Sequence, residues 1–160
     1  MKALLVIDMQ EDYVGEGRNK KRFPYNPEIL IPRVNQRILD FVDAGNMVIY
    51  IVNRFFYQRK IYIPQLVKGI NIIEPNTVFV KSRVSCFTNA ELSQYLRDKR
   101  VTEVEIVGVD GNYCVAASAR DGKKNGLAII FNHSCIGAAD ADKLEKTLSQ
   151  LANDGISILE

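Results

Sequence analysis

Three side chains of complementary chemistry stand just beyond short apolar runs. Asp8 follows residues 3–7, Lys81 follows 78–80, and Cys114 comes a few residues after 104–107 and Gly108. A thiol, a carboxylate and an ammonium can serve as nucleophile, base and orienter. Cys114 falls in or near the first turn of a predicted helix, where free backbone N–H groups carry about half a positive charge and favour a thiolate. An ordinary thiol is only ~3% ionised at pH 7, and a pKa two units lower gives roughly 75%. The reading therefore predicts a depressed thiol, with Asp8 taking its proton and Lys81 holding that carboxylate. The same N–H groups would receive the oxyanion of a tetrahedral adduct. Each residue also has a bland reading. A cysteine early in a helix is more often a small core hydrophobe, Asp8 can merely end a strand, and Lys81 can be a surface lysine.

What must position these groups is a run of alternating elements. Strands are expected at 3–7, 47–52, 78–80, 104–107, 127–131 and 156–159. A polar loop covers 11–25, after which Asn26 and Pro27 open a helix whose apolar residues recur from Leu30 to Val42 and which Gly45 closes. Thr88 and Glu91 have capping-box form before the next helix. Further helices are expected from Asn112 or Tyr113 to about Asn125, and over 140–153. The segment 53–75 reads as loops with one helical turn. Apolar strands separated by helices mean an α/β fold, a six-stranded parallel sheet with helices on both faces. Right-handed crossovers suit the order 3-2-1-4-5-6, which makes strands one and four neighbours at the switch point. Their carboxyl ends, where Asp8 and Cys114 wait, should define the ligand crevice.

Composition narrows the function classes. The 160 residues are expected to form one domain, 1–160, and at 47% hydrophobic against 25% charged they can bury a core. That balance excludes a disordered chain. Twenty-one basic against 19 acidic residues leave a net charge of +2, which argues against a nucleic-acid partner. The longest apolar run, 47–52, falls far short of the ~20 residues of a membrane span, and five apolar residues before Asp8 are too few for a signal peptide. Three cysteines without a C-x-x-C pair indicate neither a disulfide framework nor a zinc site. A cytoplasmic protein is expected.

The motifs around the three residues carry a resemblance. Val6-Ile7-Asp8-Met9-Gln10, Lys81-x-Arg83-x-Ser85-x-Phe87 and Gly108-Val109-x-x-x-Tyr113-Cys114-Val115 resemble, in order, the signature segments of the isochorismatase-like cysteine hydrolases. The resemblance implies an Asp-Lys-Cys triad: Asp8 as general base and acid, Lys81 as orienter, Cys114 as nucleophile. It implies attack on an amide carbonyl, loss of ammonia or an amine, and hydrolysis of a thioester. It also implies a cis peptide between Val109 and Asp110, and an oxyanion hole from nearby backbone amides, here those of Asp110 and Cys114. A homo-oligomer, a dimer or larger, is implied as well. Isochorismatases of the family cleave a vinyl ether and generally lack the cysteine, so Cys114 favours C–N hydrolysis of a small carboxamide or carbamoyl compound.

Two departures stand out. Asp110 occupies a position that is often small, and facing Cys114 it would oppose thiolate formation; it is expected to point away or to bind a substrate donor. Nicotinamidases of the family place Asp and His metal ligands after the second strand, where this chain has Asn53-Arg54-Phe55-Phe56. No metal and no cofactor are expected. Arg54, Phe23 and Tyr113 are candidate substrate-binding residues, Phe23 or Tyr25 packing on the substrate from a mobile first loop. The alternatives are a non-catalytic binding or assembly subunit and, on the strength of the C-x5-R spacing from Cys114 to Arg120, a cysteine phosphatase. The latter needs a glycine-bearing loop wrapping a phosphate, whereas 115–119 is helix-compatible. No P-loop or dinucleotide fingerprint occurs. Cys86, Cys135 and His133 read as structural.

Overall fold

The computed structural model describes residues Met1–Glu160. Its strands are β1 (Lys2–Ile7), β2 (Met47–Asn53), β3 (Val78–Lys81), β4 (Glu103–Val109), β5 (Ala128–Gly137) and β6 (Ser157–Leu159). Its α-helices are α1 (Glu11–Val14), α2 (Pro27–Asp43), α3 (Ala90–Asp98), α4 (Cys114–Lys124) and α5 (Ala141–Asn153). All strand pairings are parallel, in the order β3-β2-β1-β4-β5-β6.

Alternation along β1 divides the interior in two. Ala3, Leu5 and Ile7 join one cluster with Leu92 and Leu96 of α3, Val115 and Ala119 of α4, and Leu144 and Leu151 of α5. Leu4 and Val6 join the opposite cluster with Leu30, Val34, Ile38 and Phe41 of α2. Both faces of β1 are therefore sealed, which is why its sequence is apolar without alternation. No helix is long and apolar enough to cross a membrane.

Gly108 lets β1 and β4 meet at the switch point. Its φ is +114°, and a Cβ there would lie 2.0 Å from the Ile7 carbonyl oxygen, so only glycine fits.

Local expectations are corrected in four places. The loop predicted for 11–25 begins with the short helix α1. Thr88 is not a cap: it lies in the 3-10 turn Cys86–Thr88 and its hydroxyl donates to the Ser85 carbonyl at 2.7 Å. Asn89 caps α3 instead, its side chain accepting from the N–H groups of Glu91 and Leu92. Asn26 precedes α2 but its side chain caps nothing; Pro27 starts that helix. Strand β5 continues to Gly137 through the polar residues Asn132, His133 and Ser134. It does so because Asn132 is buried and its carboxamide donates to Glu105 at 2.7 Å, an interaction between two strands that a single run of sequence does not display. A register shift between Ile106 and Gly108 absorbs the extra length.

Candidate active site

Asp8 leaves β1 in the left-handed region, at φ 55°, a conformation that aspartate tolerates better than most residues. Its carboxylate is 2% exposed. Lys81 ends β3, equally buried, and its Nζ lies 3.0 Å from Asp8 Oδ2. The ammonium also donates to Asn53 Oδ1 at 3.1 Å, to the Arg83 carbonyl at 3.3 Å and to Cys114 Sγ at 3.4 Å. Cys114 is the first residue of α4. The three side chains named from sequence thus meet beyond the carboxyl ends of β1, β3 and β4. Asp8 Oδ1 is buried without a hydrogen-bond partner.

The electrostatics correct one expectation. Burial pushes the Cys114 thiol up to about 12; the Asp8 charge pushes the same way and Lys81 pulls back. The start of α4 does not outweigh desolvation beside a carboxylate. Burial likewise raises Asp8 above the usual carboxylate range, against the opposing pull of Lys81. Burial alone would lower the Lys81 ammonium, but the Asp8 and Cys114 charges outweigh it and the net direction is upward. The resting site therefore holds a neutral thiol beside a base of strengthened proton affinity.

The peptide bond between Val109 and Asp110 is cis, as the family resemblance implied. The Asp110 carboxylate does not reach for Cys114. Oδ2 accepts from the Tyr25 hydroxyl at 2.9 Å and the Ala139 N–H at 2.8 Å, and Oδ1 accepts from the Asn112 N–H at 2.7 Å. The Asp110 carbonyl accepts from the N–H groups of Tyr113 and Val115, while the N–H groups of Asp110 and Cys114 donate to no backbone carbonyl in this turn. Both N–H groups are thus left without a protein acceptor.

These groups open into a cavity of about 640 Å³, within the range of small-molecule sites. Phe23 and Tyr113 line it, as expected, with Tyr13, Tyr25, Phe55 and Phe56. Phe23 stands with its centroid 5.0 Å from that of Tyr13, and Tyr113 is 54% exposed with the Lys143 ammonium 4.2 Å from its ring centroid. Arg54 is not among the lining residues. Its guanidinium donates to the Lys60 carbonyl at 3.2 Å within its own loop, so its candidacy as a substrate ligand is withdrawn. Arg22 and Arg83 line the cavity instead.

Asn53 is the residue that sequence reading missed. It ends β2, and its carboxamide donates to the Tyr13 hydroxyl at 3.0 Å while accepting from Lys81. Gln10 locks its backbone with two bonds, accepting from the Asn53 N–H and donating to its carbonyl. A polar residue closing a strand that is buried on both faces was the available signal.

A family model described as the isochorismatase domain matches residues 2–160. The chain belongs to the isochorismatase family. Among relatives in Bacillus subtilis (strain 168), it is 27% identical over 131 residues to the uncharacterized isochorismatase family protein YddQ, covering 78% of this chain and 71% of that one. It is 23% identical over 174 residues to the uncharacterized isochorismatase family protein PncA, covering 95% and 94%. Among solved structures, the pyrazinamidase of Pyrococcus horikoshii in complex with zinc aligns with a TM-score of 0.84 at 22% identity, covering 99% of this chain and 98% of that one. The nicotinamidase PncA from Bacillus subtilis aligns at 0.81 and 20%, covering 99% of each. At these identities the likeness is one of fold.

The residues of this family member do not fit a zinc ion. No three His, Cys, Asp or Glu side chains converge. Asn53 is committed to Lys81 and Tyr13, and His133 lies on β5 with Nδ1 3.2 Å from Glu160.

Proposed function

We propose that this isochorismatase-family protein is a cysteine-dependent amidohydrolase that cleaves the C–N bond of a small carboxamide or carbamoyl compound through a thioester. The observation that carries the reading is the contact of Lys81 with both Asp8 and Cys114 beside a cavity of small-molecule size. The substrate carbonyl sits with its oxygen toward the free N–H groups of Asp110 and Cys114. As Cys114 Sγ attacks the carbonyl carbon, Asp8 takes the thiol proton and the C–S bond forms. Asp8 then gives that proton to the leaving nitrogen, the C–N bond breaks, and ammonia or an amine departs. Water adds to the thioester while Asp8 takes a proton from it; the C–S bond breaks and the proton returns to sulfur. The net reaction is amide plus water to carboxylic acid plus ammonia or amine, with no cofactor.

A raised thiol suits this sequence. The proton leaves sulfur during attack rather than before it, so Asp8 is needed as a true base. Lys81 stabilises the carboxylate and then the sulfur, and Asn53 positions Lys81.

The phosphatase alternative loses its support. Residues 115–119 lie inside α4, and Arg120 is spent on Asp154 and Gln150. The non-catalytic alternative is separated by experiment: ammonia release from a panel of small amides, abolished in Cys114→Ala with the fold retained, supports the enzyme. Unchanged release from that variant ends the mechanism. We further propose a homo-oligomer, supported by Phe56, Tyr57, Ile61 and Ile63, which are 68–88% exposed on one loop. Light scattering tests it. A reducing, cytoplasmic setting suits the three free cysteines.

A further inference from the structure

The charges lining the cavity do not balance. Asp8 is paired with Lys81, and both oxygens of Asp110 are occupied by Tyr25, Ala139 and Asn112. Arg22 and Arg83 also line it, yet neither guanidinium has an ion-pair or hydrogen-bond partner. Arg22 rests against the Phe23 ring, 5.3 Å from its centroid. Around them the wall is apolar, with Phe23, Phe55, Phe56, Val84 and Val109. Two unpaired guanidinium groups on an apolar wall are suited to a planar anion, which each can hold through paired N–H donors.

The two arginines approach from separate segments. Arg22 lies between α1 and α2, preceded by the exposed Lys20 and Lys21. Arg83 follows β3, and its own carbonyl accepts from Lys81 Nζ. That bond ties the backbone carrying one guanidinium to the cation beside Cys114. A substrate held by Arg83 is therefore registered against the sulfur.

We propose that the substrate is an anionic amide: an apolar or aromatic body with the scissile carboxamide at one end and a carboxylate at the other, received by Arg83 and Arg22. This rests on the amidohydrolase reading and adds the substrate class. The uncharged amides of simple rings lack the group that the arginines would hold.

The test uses two matched pairs, 4-carbamoylbenzoate with benzamide and succinamate with butyramide. Ammonia release by the wild-type protein gives kcat/KM for each, and calorimetry on Cys114→Ala gives binding without turnover. In at least one pair the anion is favoured by about tenfold or more, in turnover and in binding. Arg83→Gln and Arg22→Gln bring that ratio toward one, Arg83→Lys recovers part of it, and added salt compresses it. No preference for the anion in either pair, or a ratio unmoved in both glutamine variants, overturns the proposal. Absence of ammonia from every compound, with Cys114→Ala still preferring the anion, instead overturns the amidohydrolase reading and leaves the anion site standing.

Discussion

The Tyr25 hydroxyl donates to Asp110 Oδ2 across 2.9 Å, joining the loop before α2 to the turn that carries Cys114. The bond explains how a carboxylate can stand four residues before the cysteine without opposing it: three donors hold it elsewhere. Tyr25→Phe removes one of them and is expected to cost about 1–3 kcal/mol in urea unfolding. Asp110→Ala removes the acceptor for all three and costs more. A Tyr25→Phe protein as stable as the wild type would show that the bond does not anchor the turn.

The pH dependence follows from the directions of the shifts. Asp8 must be ionised to act as base, and burial raises it above its ordinary 3.8. Activity as kcat/KM therefore climbs with pH through a limb lying above the normal carboxylate range. Lys81 is raised above 10.5 and the thiol stands at about 12, so no falling limb occurs below about pH 9. A bell centred on pH 5 would contradict this ordering.

Alkylation reads the thiol directly. Iodoacetamide should reach Cys114 before Cys86 and Cys135, because Cys114 lines the cavity while the other two are 1% and 5% exposed. Its rate should keep rising with pH past 9, where an ordinary thiol levels off, since the Cys114 thiol is displaced upward from 9.0. Intact-mass spectrometry across a pH series supplies both readouts.

Removing Lys81 strands a buried carboxylate. Lys81→Met is expected to destabilise the fold by about 3–5 kcal/mol near neutral pH. It also pushes Asp8 further upward, because the Lys81 charge is what opposes desolvation there. The loss therefore shrinks as pH falls and Asp8 takes up a proton. Denaturant midpoints measured across pH check the sign. Asp8→Asn combined with Lys81→Met should recover part of the stability and none of the activity.

A second ion pair, a buried carboxylate held by a half-buried guanidinium, lies away from the cavity. Glu105 on β4 is 1% exposed, and Arg37 of α2 donates to both its oxygens at 2.6 Å. Arg37→Met should cost about 3–5 kcal/mol, with turnover of the folded protein unchanged, and Glu105→Leu on that background should restore much of it. Equal denaturant midpoints for Arg37→Met and wild type would assign the pair no structural weight.

How much could be read in advance differs from residue to residue. Asp8, Lys81 and Cys114 were legible because each follows an apolar run, and parallel strands bring such positions to one edge of the sheet. Gly108 looked from sequence like the stop of the fourth strand, yet β4 runs through it to Val109, and its reason, an approach to the Ile7 carbonyl, required the neighbouring strand. Thr88 misled because its capping pattern is local, and the competing bond to Ser85 is also local and equally compatible with the residue types. Arg54 and Arg83 could not be ranked from the chain. Both follow strands, and which guanidinium faces the cavity depends on how two loops pack.

The amino-acid order alone specified six short strands, their succession with helices and the meeting of three reactive groups, since these follow from hydrophobic runs and the handedness of crossovers. Folding settled the properties that depend on distance and dielectric between remote parts of the chain. Among them are the neutral thiol of Cys114, the turning of Asp110 toward Tyr25, and the grip of Asn53 on Lys81. A pKa or a hydrogen-bond partner is set by everything within a few ångströms in space, and most of those neighbours lie far away in sequence.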